Sequence, residues 1–228
     1  MTVTVALLGT GLLGSAIASR LLAVGCSLRI WNRDRARCEP LIASGAQGFD
    51  DPAQAIAGAS TVITVLRDGP VTSEVVTSLG ALNQSCVMPM GTMGISESVA
   101  LETQVQDQGG VYLEAPVLGS RPEALAGRLL VMAAGDQAVF DQQCALLKHL
   151  AEEPKRMGPV GTGAASKLAL NQLIASLTHG YSLALRLVQA SGLDVDSFMN
   201  VLRPSALYAP TVDKKLKRML THDYSDPN

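Results

Sequence analysis

Two polar residues in an otherwise apolar segment, Lys167 and Asn171, have types and a spacing that suit proton transfer. Residues four apart in a helix project from the same face, one turn from each other. Lys167 falls in the first turn of the predicted helix, where the helix dipole and partial burial favour the neutral amine and lower its pKa. Such a lysine can act as a general acid or base, and the asparagine amide can orient a substrate oxygen. The same spacing also fits a surface lysine with a hydrogen-bonding asparagine partner, and spacing alone favours that simpler interpretation.

A second group of residues, near the start of the chain, has the spacing of a dinucleotide-binding turn. An apolar run over residues 3–8 leads into Gly9, Gly11 and Gly14, and an apolar-periodic segment follows over residues 15–24. The first glycine allows a sharp turn, the second lets the backbone approach a pyrophosphate, and the third lets the helix pack closely on the strand. The helix N-terminus then offers unpaired N–H groups to the phosphates. The residues expected to contact the cofactor here are Gly9, Thr10, Gly11, Leu12, Leu13 and Gly14.

The end of the second predicted strand, over residues 27–31, bears on which dinucleotide is bound. NAD sites usually place an acidic residue at this point, about 20 residues beyond the glycines. This chain instead has Asn32, followed by Arg33 and Arg37. A neutral acceptor beside a guanidinium suits the 2′-phosphate of NADP, and the pattern favours NADP over NAD. The alternative is that the arginines form an ordinary solvated loop, partly neutralised by Asp34.

An alternation of strands and helices must position these residues. Apolar and β-branched runs predict strands over residues 3–8, 27–31, 61–66, 86–90, 111–114 and 129–133. Helical spacing predicts helices over residues 35–44, 53–57, 71–79, 96–108 and 138–150. This order is typical of an α/β fold with a Rossmann-type doubly wound parallel sheet. Ligands bind at the carboxyl ends of the strands in such sheets, where we expect Leu66 and Thr92 to lie beside the cofactor.

The pattern changes after the PVGTG segment at residues 159–163. Residues 164–189 predict one long helix, further helices are predicted over residues 195–202 and 209–220, and no strand is predicted in this part. We therefore divide the chain into an NADP-binding domain, residues 1–160, and an all-helical C-terminal domain that begins with the long interdomain helix, residues 161–228. The apolar face of so long a helix implies a partner helix, so we expect a homodimer or higher homo-oligomer.

Composition argues against several classes of partner. The 228 residues carry a formal net charge of −2, and aromatic residues make up only 4%, so the sequence indicates neither a nucleic acid nor a membrane as partner. The four cysteines lie far apart without a C-x-x-C motif, and the three histidines have no metal-ligand spacing, so we expect no metal site. Separated, unpaired cysteines are typical of a reducing compartment, which predicts a cytoplasmic protein.

Four motifs follow one another along the chain. They are the glycine turn with Trp-Asn-Arg after it, the strand ending in Gly91-Thr92, the segment EAPVLGS at residues 114–120, and G-x-G-x-x-x-K-x-x-x-N at residues 161–171. Together they resemble the β-hydroxyacid dehydrogenase family over essentially the whole chain, with the glyoxylate/succinic semialdehyde reductases looking most similar. The resemblance implies that Lys167 is the general acid/base, that Asn171 assists it, and that Thr92 touches both cofactor and substrate.

The segment at residues 114–120 departs from the usual pattern of this family, D-x-P-V-S-G-G. Leu118 stands where the family has a substrate-binding serine. The backbone N–H groups of Gly119 and Ser120 can still hold a carboxylate, so we expect a smaller or less hydroxylated substrate to bind at these three positions. The chain also stops at Asn228, where relatives continue for several helices that help to close the substrate site, so a truncated or partly represented chain is expected to bind cofactor without turnover.

The resemblance implies NADPH-dependent reduction of a short aldehyde or keto acid, of the glyoxylate or succinic semialdehyde type, to the hydroxy acid. The implied partner is therefore a small carbonyl compound. One alternative is an imine reductase, which shares the fold and cofactor but usually lacks the helix lysine. Another is a non-catalytic NADP-binding oligomerisation module. Lys167 favours the first interpretation over both alternatives.

Overall fold

The computed structural model describes residues 3–223 and 225, which form nine strands and ten α-helices. The strands are β1 (Thr4–Leu8), β2 (Ser27–Trp31), β3 (Gln47–Phe49), β4 (Thr61–Thr64), β5 (Cys86–Pro89), β6 (Val111–Glu114), β7 (Val117–Leu118), β8 (Leu130–Gly135) and β9 (Lys155–Arg156). The helices are α1 (Leu12–Ala23), α2 (Glu39–Ala43), α3 (Pro52–Ile56), α4 (Gly69–Ser78), α5 (Ile95–Asp107), α6 (Arg121–Ala126), α7 (Gln137–Leu147), α8 (Thr162–Ala190), α9 (Val195–Leu202) and α10 (Thr211–Thr221).

The strands form one sheet in the order β3-β2-β1-β4-β5-β6-β8-β7, with β9 beside β8. The first six strands in this order are parallel, which confirms the predicted Rossmann-type arrangement. The sheet is not parallel throughout, however. Strand β8 runs antiparallel to both β6 and β7, because the chain turns back beside β6 after β7 and α6 instead of crossing over to the far edge. The ligand-binding crevice of such a fold lies where the strand order reverses, between β1 and β4.

Strand β1 is apolar on both faces because helices cover both sides of the sheet. Val5 and Leu7 belong to the core that includes Ile17 of α1, whereas Ala6 and Leu8 belong to the core that includes residues of α3, α4 and α5. These four side chains are 0% exposed, whereas Thr4 at the start of the strand is half-buried. Burying a leucine or valine side chain contributes about 1.5–3 kcal/mol to folding, so this strand anchors the turn that follows it.

Several elements differ from the expectation. The helix predicted over residues 35–44 is divided into a 3₁₀ helix, Arg35–Cys38, and α2. Pro40 has no N–H and fits only the first turn of a helix, which makes α2 begin anew there. The short elements β3, β7, β9 and α6 were not predicted, because two to six residues are too few for a periodic pattern to emerge.

The chain forms two compact units, Met1–Leu168 and Ala169–Asn228. The division falls inside α8, beyond the boundary expected at residue 160, so the first turns of the long helix belong to the first unit. The second unit is helical over its described residues and has its own small core, formed by Tyr181, Leu185, Met199, Leu202, Val212 and Met219. Within the described residues, none of the helices combines the length and the apolarity needed to cross a membrane.

Candidate active site

The glycine turn between β1 and α1 is tightly packed on one side and open on the other. Gly9 has φ +103°, and a Cβ there would lie 2.3 Å from the carbonyl oxygen of Val65. A Cβ on Gly14 would lie 1.9 Å from the carbonyl oxygen of Gly9. At Gly11, by contrast, nothing lies within 4 Å of a Cβ position. The turn therefore needs glycine for its fold at two positions and leaves the backbone of the third accessible to a ligand.

The N-terminus of α1 is suited to an anion. Gly11 caps the helix without a side-chain hydrogen bond, and the first turn contains no acidic residue. Leu12 is 48% exposed, whereas Leu13 packs against the core, so both residues can offer only backbone N–H groups to a phosphate. Unpaired N–H groups at the positive end of the helix dipole are the recurrent feature of pyrophosphate sites. The turn therefore fits the phosphates of a dinucleotide.

Asn32 lies directly after β2 and holds the glycine turn. Its Oδ1 accepts a hydrogen bond of 3.0 Å from the backbone N–H of Thr10, and its Nδ2 donates to the carbonyl of Asp34 at 2.9 Å. The Thr10 side chain is buried, with its Oγ1 3.7 Å from the Sγ of Cys38. The side-chain oxygen of Asn32 thus already accepts one hydrogen bond within the protein, which leaves its second lone pair and one N–H for a cofactor.

The arginines that follow are not equivalent. Arg35 pairs with Asp50 at 2.9 Å and with Glu39 at 3.4 Å, and Arg37 pairs with Asp34 at 3.4 Å. Arg33 is exposed and forms no ion pair or hydrogen bond with any residue in the described part of the chain. Of the predicted phosphate-binding residues, Arg33 is therefore the one whose guanidinium is available.

Leu66 and Thr92 follow β4 and β5 at the carboxyl edge of the sheet, as expected. The two connections approach closely, because a Cβ on Gly91 would lie 2.9 Å from the carbonyl oxygen of Leu66. The side chain of Leu66 lies against the glycine turn, with its Cδ2 2.9 Å from a Cβ position on Gly9. Thr92 is half-buried beside the buried Met93. This edge of the sheet therefore brings the connections that carry Leu66 and Thr92, the two residues predicted to lie beside the cofactor, next to the glycine turn.

The loop at Leu118, Gly119 and Ser120 is shaped by a helix cap. Glu123 accepts hydrogen bonds from the Ser120 backbone N–H at 2.8 Å and from its Oγ at 2.7 Å. These bonds form the capping box of α6, whose S-x-x-E pattern is readable in the sequence but was not used in the prediction. The Ser120 N–H is therefore occupied, whereas the Gly119 N–H, the other predicted carboxylate donor, has no acceptor among the described residues. Leu118 is half-buried at the end of β7.

Glu114, which sequence reasoning missed as a site residue, links the sheet to α8. It ends β6 and is 1% exposed. Its carboxylate accepts three backbone hydrogen bonds: from Gly161 at 2.9 Å, from Gly163 at 3.1 Å and from Ala164 at 3.0 Å. A buried carboxylate at the positive end of a helix satisfies donors that the helix itself cannot. The signal in the sequence that could have identified Glu114 is its position as an acidic residue at the end of a predicted strand, in the segment EAPVLGS.

Lys167 lies in the second turn of α8, because the helix begins at Thr162 and not at residue 164, so the expected first-turn position is wrong. Lys167 is half-buried, and desolvation by burial lowers the pKa of its amine below the ordinary lysine value. Its amine forms no hydrogen bond or ion pair with another described residue. Asn171 is half-buried four residues further along the same helix. The helical spacing expected for this pair is therefore present, whereas their roles stay a prediction. Within residues 3–223 and 225, no group of three or more His, Cys, Asp or Glu side chains is arranged to hold a metal ion.

Comparison with known proteins bears on this arrangement. Residues 4–161 match the NAD binding domain of 6-phosphogluconate dehydrogenase. Glyoxylate/succinic semialdehyde reductase 1 of Arabidopsis thaliana is 31% identical over 96% of this chain and 78% of its own length. The chloroplastic reductase 2 of the same plant is 29% identical over 98% of this chain, which spans only 64% of that relative.

The fold is shared with a solved structure of Mycobacterium tuberculosis 3-hydroxyisobutyrate dehydrogenase in the presence of L-serine. The TM-score is 0.82 at 22% identity, covering 100% of this chain and 76% of the other. The structural match shows a shared fold, whereas the sequence matches show common ancestry. With its glycine turn, its parallel-dominated sheet and its long helix, the chain belongs to the β-hydroxyacid dehydrogenase family of oxidoreductases.

Proposed function

We propose that this chain is an NADPH-dependent reductase of short aldehydes or keto acids of the glyoxylate and succinic semialdehyde type. The observation that carries the proposal is Lys167, a half-buried amine with no partner in the described part of the chain, on a helix whose first turn is bonded to the carboxyl edge of the sheet. Burial lowers the pKa of this amine, which brings it toward the range where a general acid can work near neutral pH. The two Arabidopsis thaliana relatives support the substrate class.

The cofactor would be held by the residues already described. The backbone N–H groups of the turn from Gly9 to Gly14 suit the pyrophosphate, and Arg33 suits the 2′-phosphate that distinguishes NADP from NAD. NADPH bound there supplies the hydride. The preference for NADP over NAD rests on the availability of Arg33 and on the absence of an acidic residue at position 32.

The remaining steps fall to side chains and backbone of this chain. Lys167 donates a proton to the carbonyl oxygen as the carbon is reduced, and it accepts a proton in the reverse direction. Asn171, one helical turn further, orients the same oxygen, and Thr92 contacts both cofactor and substrate. The Gly119 N–H holds the carboxylate of the substrate. Leu118 offers no hydroxyl, which favours substrates that carry no additional hydroxyl group.

Assembly and compartment form part of the same proposal. Leucines of α8 within the second unit are exposed, among them Leu173 at 57%, Leu183 at 55% and Leu187 at 72%. We expect a second copy of the chain to cover this face in a homodimer, which sedimentation analysis would detect as twice the monomer mass. A monomer over the micromolar range would contradict this expectation. The four unpaired cysteines suit the cytoplasm.

The test is NADPH oxidation by the wild-type chain with glyoxylate, succinic semialdehyde, methylglyoxal, tartronate semialdehyde and a cyclic imine. The matched variants are Lys167→Ala and Lys148→Ala, since Lys148 is exposed at the end of α7. We expect turnover of an acid-bearing aldehyde that falls by about 10²–10⁴-fold in Lys167→Ala only. Turnover of the imine alone, or activity indifferent to Lys167, would favour the imine reductase. NADPH binding without turnover would favour the non-catalytic module.

A further inference from the structure

The Glu114 carboxylate takes no part in the reaction proposed above, yet it is the most buried acidic side chain among the described residues. Its three N–H donors come from residues 47 to 50 positions away in the chain. We propose that Glu114 is the positioning residue for Lys167, fixing the first turn of α8 at the carboxyl edge of the sheet so that the lysine amine meets the reacting carbonyl. The inference rests on the proposed function, because it assigns Lys167 its catalytic role.

Helix geometry connects the two side chains. Gly163 and Ala164 donate to Glu114, and Lys167 follows them by four and three residues. At about 100° and 1.5 Å per residue, Lys167 lies on the face of these two residues, roughly one turn further along the axis. A rotation of the first turn would therefore carry the lysine amine sideways by a similar angle.

Packing contacts also restrain the first turn of α8, in addition to its hydrogen bonds with Glu114. A Cβ on Gly163 would lie 2.5 Å from the carbonyl oxygen of Met132, so the helix touches the backbone of β8 at that point. Ala164 is 2% exposed. Glu114 and Ala164 line a narrow crevice together with Gly91 and Met93, the residues on either side of Thr92. The bonded turn is thus located directly against the loop that is predicted to touch cofactor and substrate.

The chemistry of the acceptor explains why a carboxylate is needed. Its two oxygens can accept all three N–H groups, with Oε2 taking Gly161 and Gly163 and Oε1 taking Ala164. A glutamine has nearly the same shape but only one acceptor oxygen, and its NH₂ group would face an N–H donor. An aspartate keeps both acceptors on a shorter arm. The assignment therefore predicts that Glu114→Asp retains more activity than Glu114→Gln.

The experiment compares Glu114→Gln, Glu114→Asp and the control Asp136→Asn. Asp136 caps α7 by accepting hydrogen bonds from the Ala138 and Val139 N–H groups at 2.8 and 3.2 Å, and it makes no bond to the first turn of α8. For Glu114→Gln we expect kcat with the best aldehyde of the panel to fall at least about tenfold, because small misplacements of reacting groups are costly. The NADPH dissociation constant should stay within about twofold, since the glycine turn is untouched. Asp136→Asn should leave kcat within about twofold.

A further comparison separates positioning from a general loss of structure. In a Lys167→Ala background, Glu114→Gln should leave the residual rate unchanged, because the residue acts through the lysine. Hydrogen–deuterium exchange should rise in residues 161–168 and stay unchanged in α7. Equal effects of Glu114→Gln in both backgrounds, or a kcat no lower than that of Asp136→Asn, would overturn the assignment. An inactive wild-type chain would contradict the proposed function itself, and is distinguishable because it appears before any Glu114 variant is made.

Discussion

The side-chain oxygen of Asn32 accepts a 3.0 Å hydrogen bond from the backbone N–H of Thr10, which joins the end of β2 to the middle of the glycine turn. The residue at position 32 thus has two tasks. It supports the turn that suits the pyrophosphate, and it determines the charge beside Arg33, where the ribose of a dinucleotide is expected. The two tasks can be separated by substitution.

We expect Asn32→Asp to keep the bond to Thr10, because a carboxylate oxygen can accept the same N–H, and to lose the bond to the Asp34 carbonyl, because a carboxylate has no donor. The added negative charge should repel a 2′-phosphate and accept bonds from free ribose hydroxyls. The ratio of NADH to NADPH affinity should therefore rise by about 10–100-fold, the equivalent of about 1.5–3 kcal/mol for a charge-assisted contact. Fluorescence titration with both cofactors measures the ratio. Asn32→Ala is the control and should weaken both cofactors alike; an unaltered ratio in Asn32→Asp would show that position 32 does not face the ribose.

Arg33→Ala should weaken NADPH by about 10–100-fold and leave NADH within about twofold, since the guanidinium is available for the phosphate that only NADPH carries. Arg35 provides the comparison because its guanidinium is already paired with Asp50 and Glu39. We expect Arg35→Ala to lower stability slightly and to leave the ratio of the two affinities as in the wild type. If both variants behaved alike, the 2′-phosphate would have to bind elsewhere.

The features that local sequence could predict are those built from neighbouring residues. The glycine turn and the parallel strands β1, β2 and β6 depend on spacings of a few residues, and the structure has them where they were expected, whereas α8 begins two residues earlier than expected. The doubly wound order also follows, because each crossover helix separates two parallel strands. The part of the site formed by Gly9, Gly11 and Gly14 was therefore readable.

The features that could not be predicted depend on contacts between distant segments. Nothing local in Glu114 indicates that its carboxylate will bond to residues 161–164, since the partners are brought together by the sheet. The antiparallel direction of β8 likewise depends on the chain turning back after β7 and α6. Ser120 is different, because its capping bond to Glu123 follows a local pattern that could have been recognised before its N–H was assigned to a substrate.

Two glycines in helices should respond in opposite ways to alanine. Gly14→Ala places a Cβ 1.9 Å from the Gly9 carbonyl oxygen, so the turn must shift, which should cost about 1–3 kcal/mol of stability. Both cofactors should then bind at least about tenfold more weakly. Gly180 lies on the α8 face of Leu173 and Leu187, and within one copy of the chain a Cβ there meets nothing within 4 Å, so Gly180→Ala should stabilise the helix of the monomer by about 0.5–1 kcal/mol without affecting cofactor binding. Thermal unfolding and cofactor titration of both variants test this pair; undiminished binding in Gly14→Ala would mean that the turn is not the pyrophosphate site.

The charge of the half-buried Lys167 amine should lower the stability of the fold. Burial lowers the pKa of the folded-state amine below the value of about 10.4 expected in the unfolded chain. Between these two pKa values the unfolded chain binds more protons, so stability rises with pH through that window and the penalty is fully present below it.

Lys167→Met should therefore be more stable than the wild type at pH 7, by less than about 1 kcal/mol because solvent screens a half-exposed charge. The difference should shrink as the pH rises through this window and disappear well above about 10.4, where the amine is neutral in both states. Urea unfolding at several pH values gives the comparison, with Lys148→Met as the exposed control that should show no such convergence. A difference between Lys167→Met and the wild type that stays constant from neutral to alkaline pH would mean that packing of the methionine, and not the charge of the amine, is responsible.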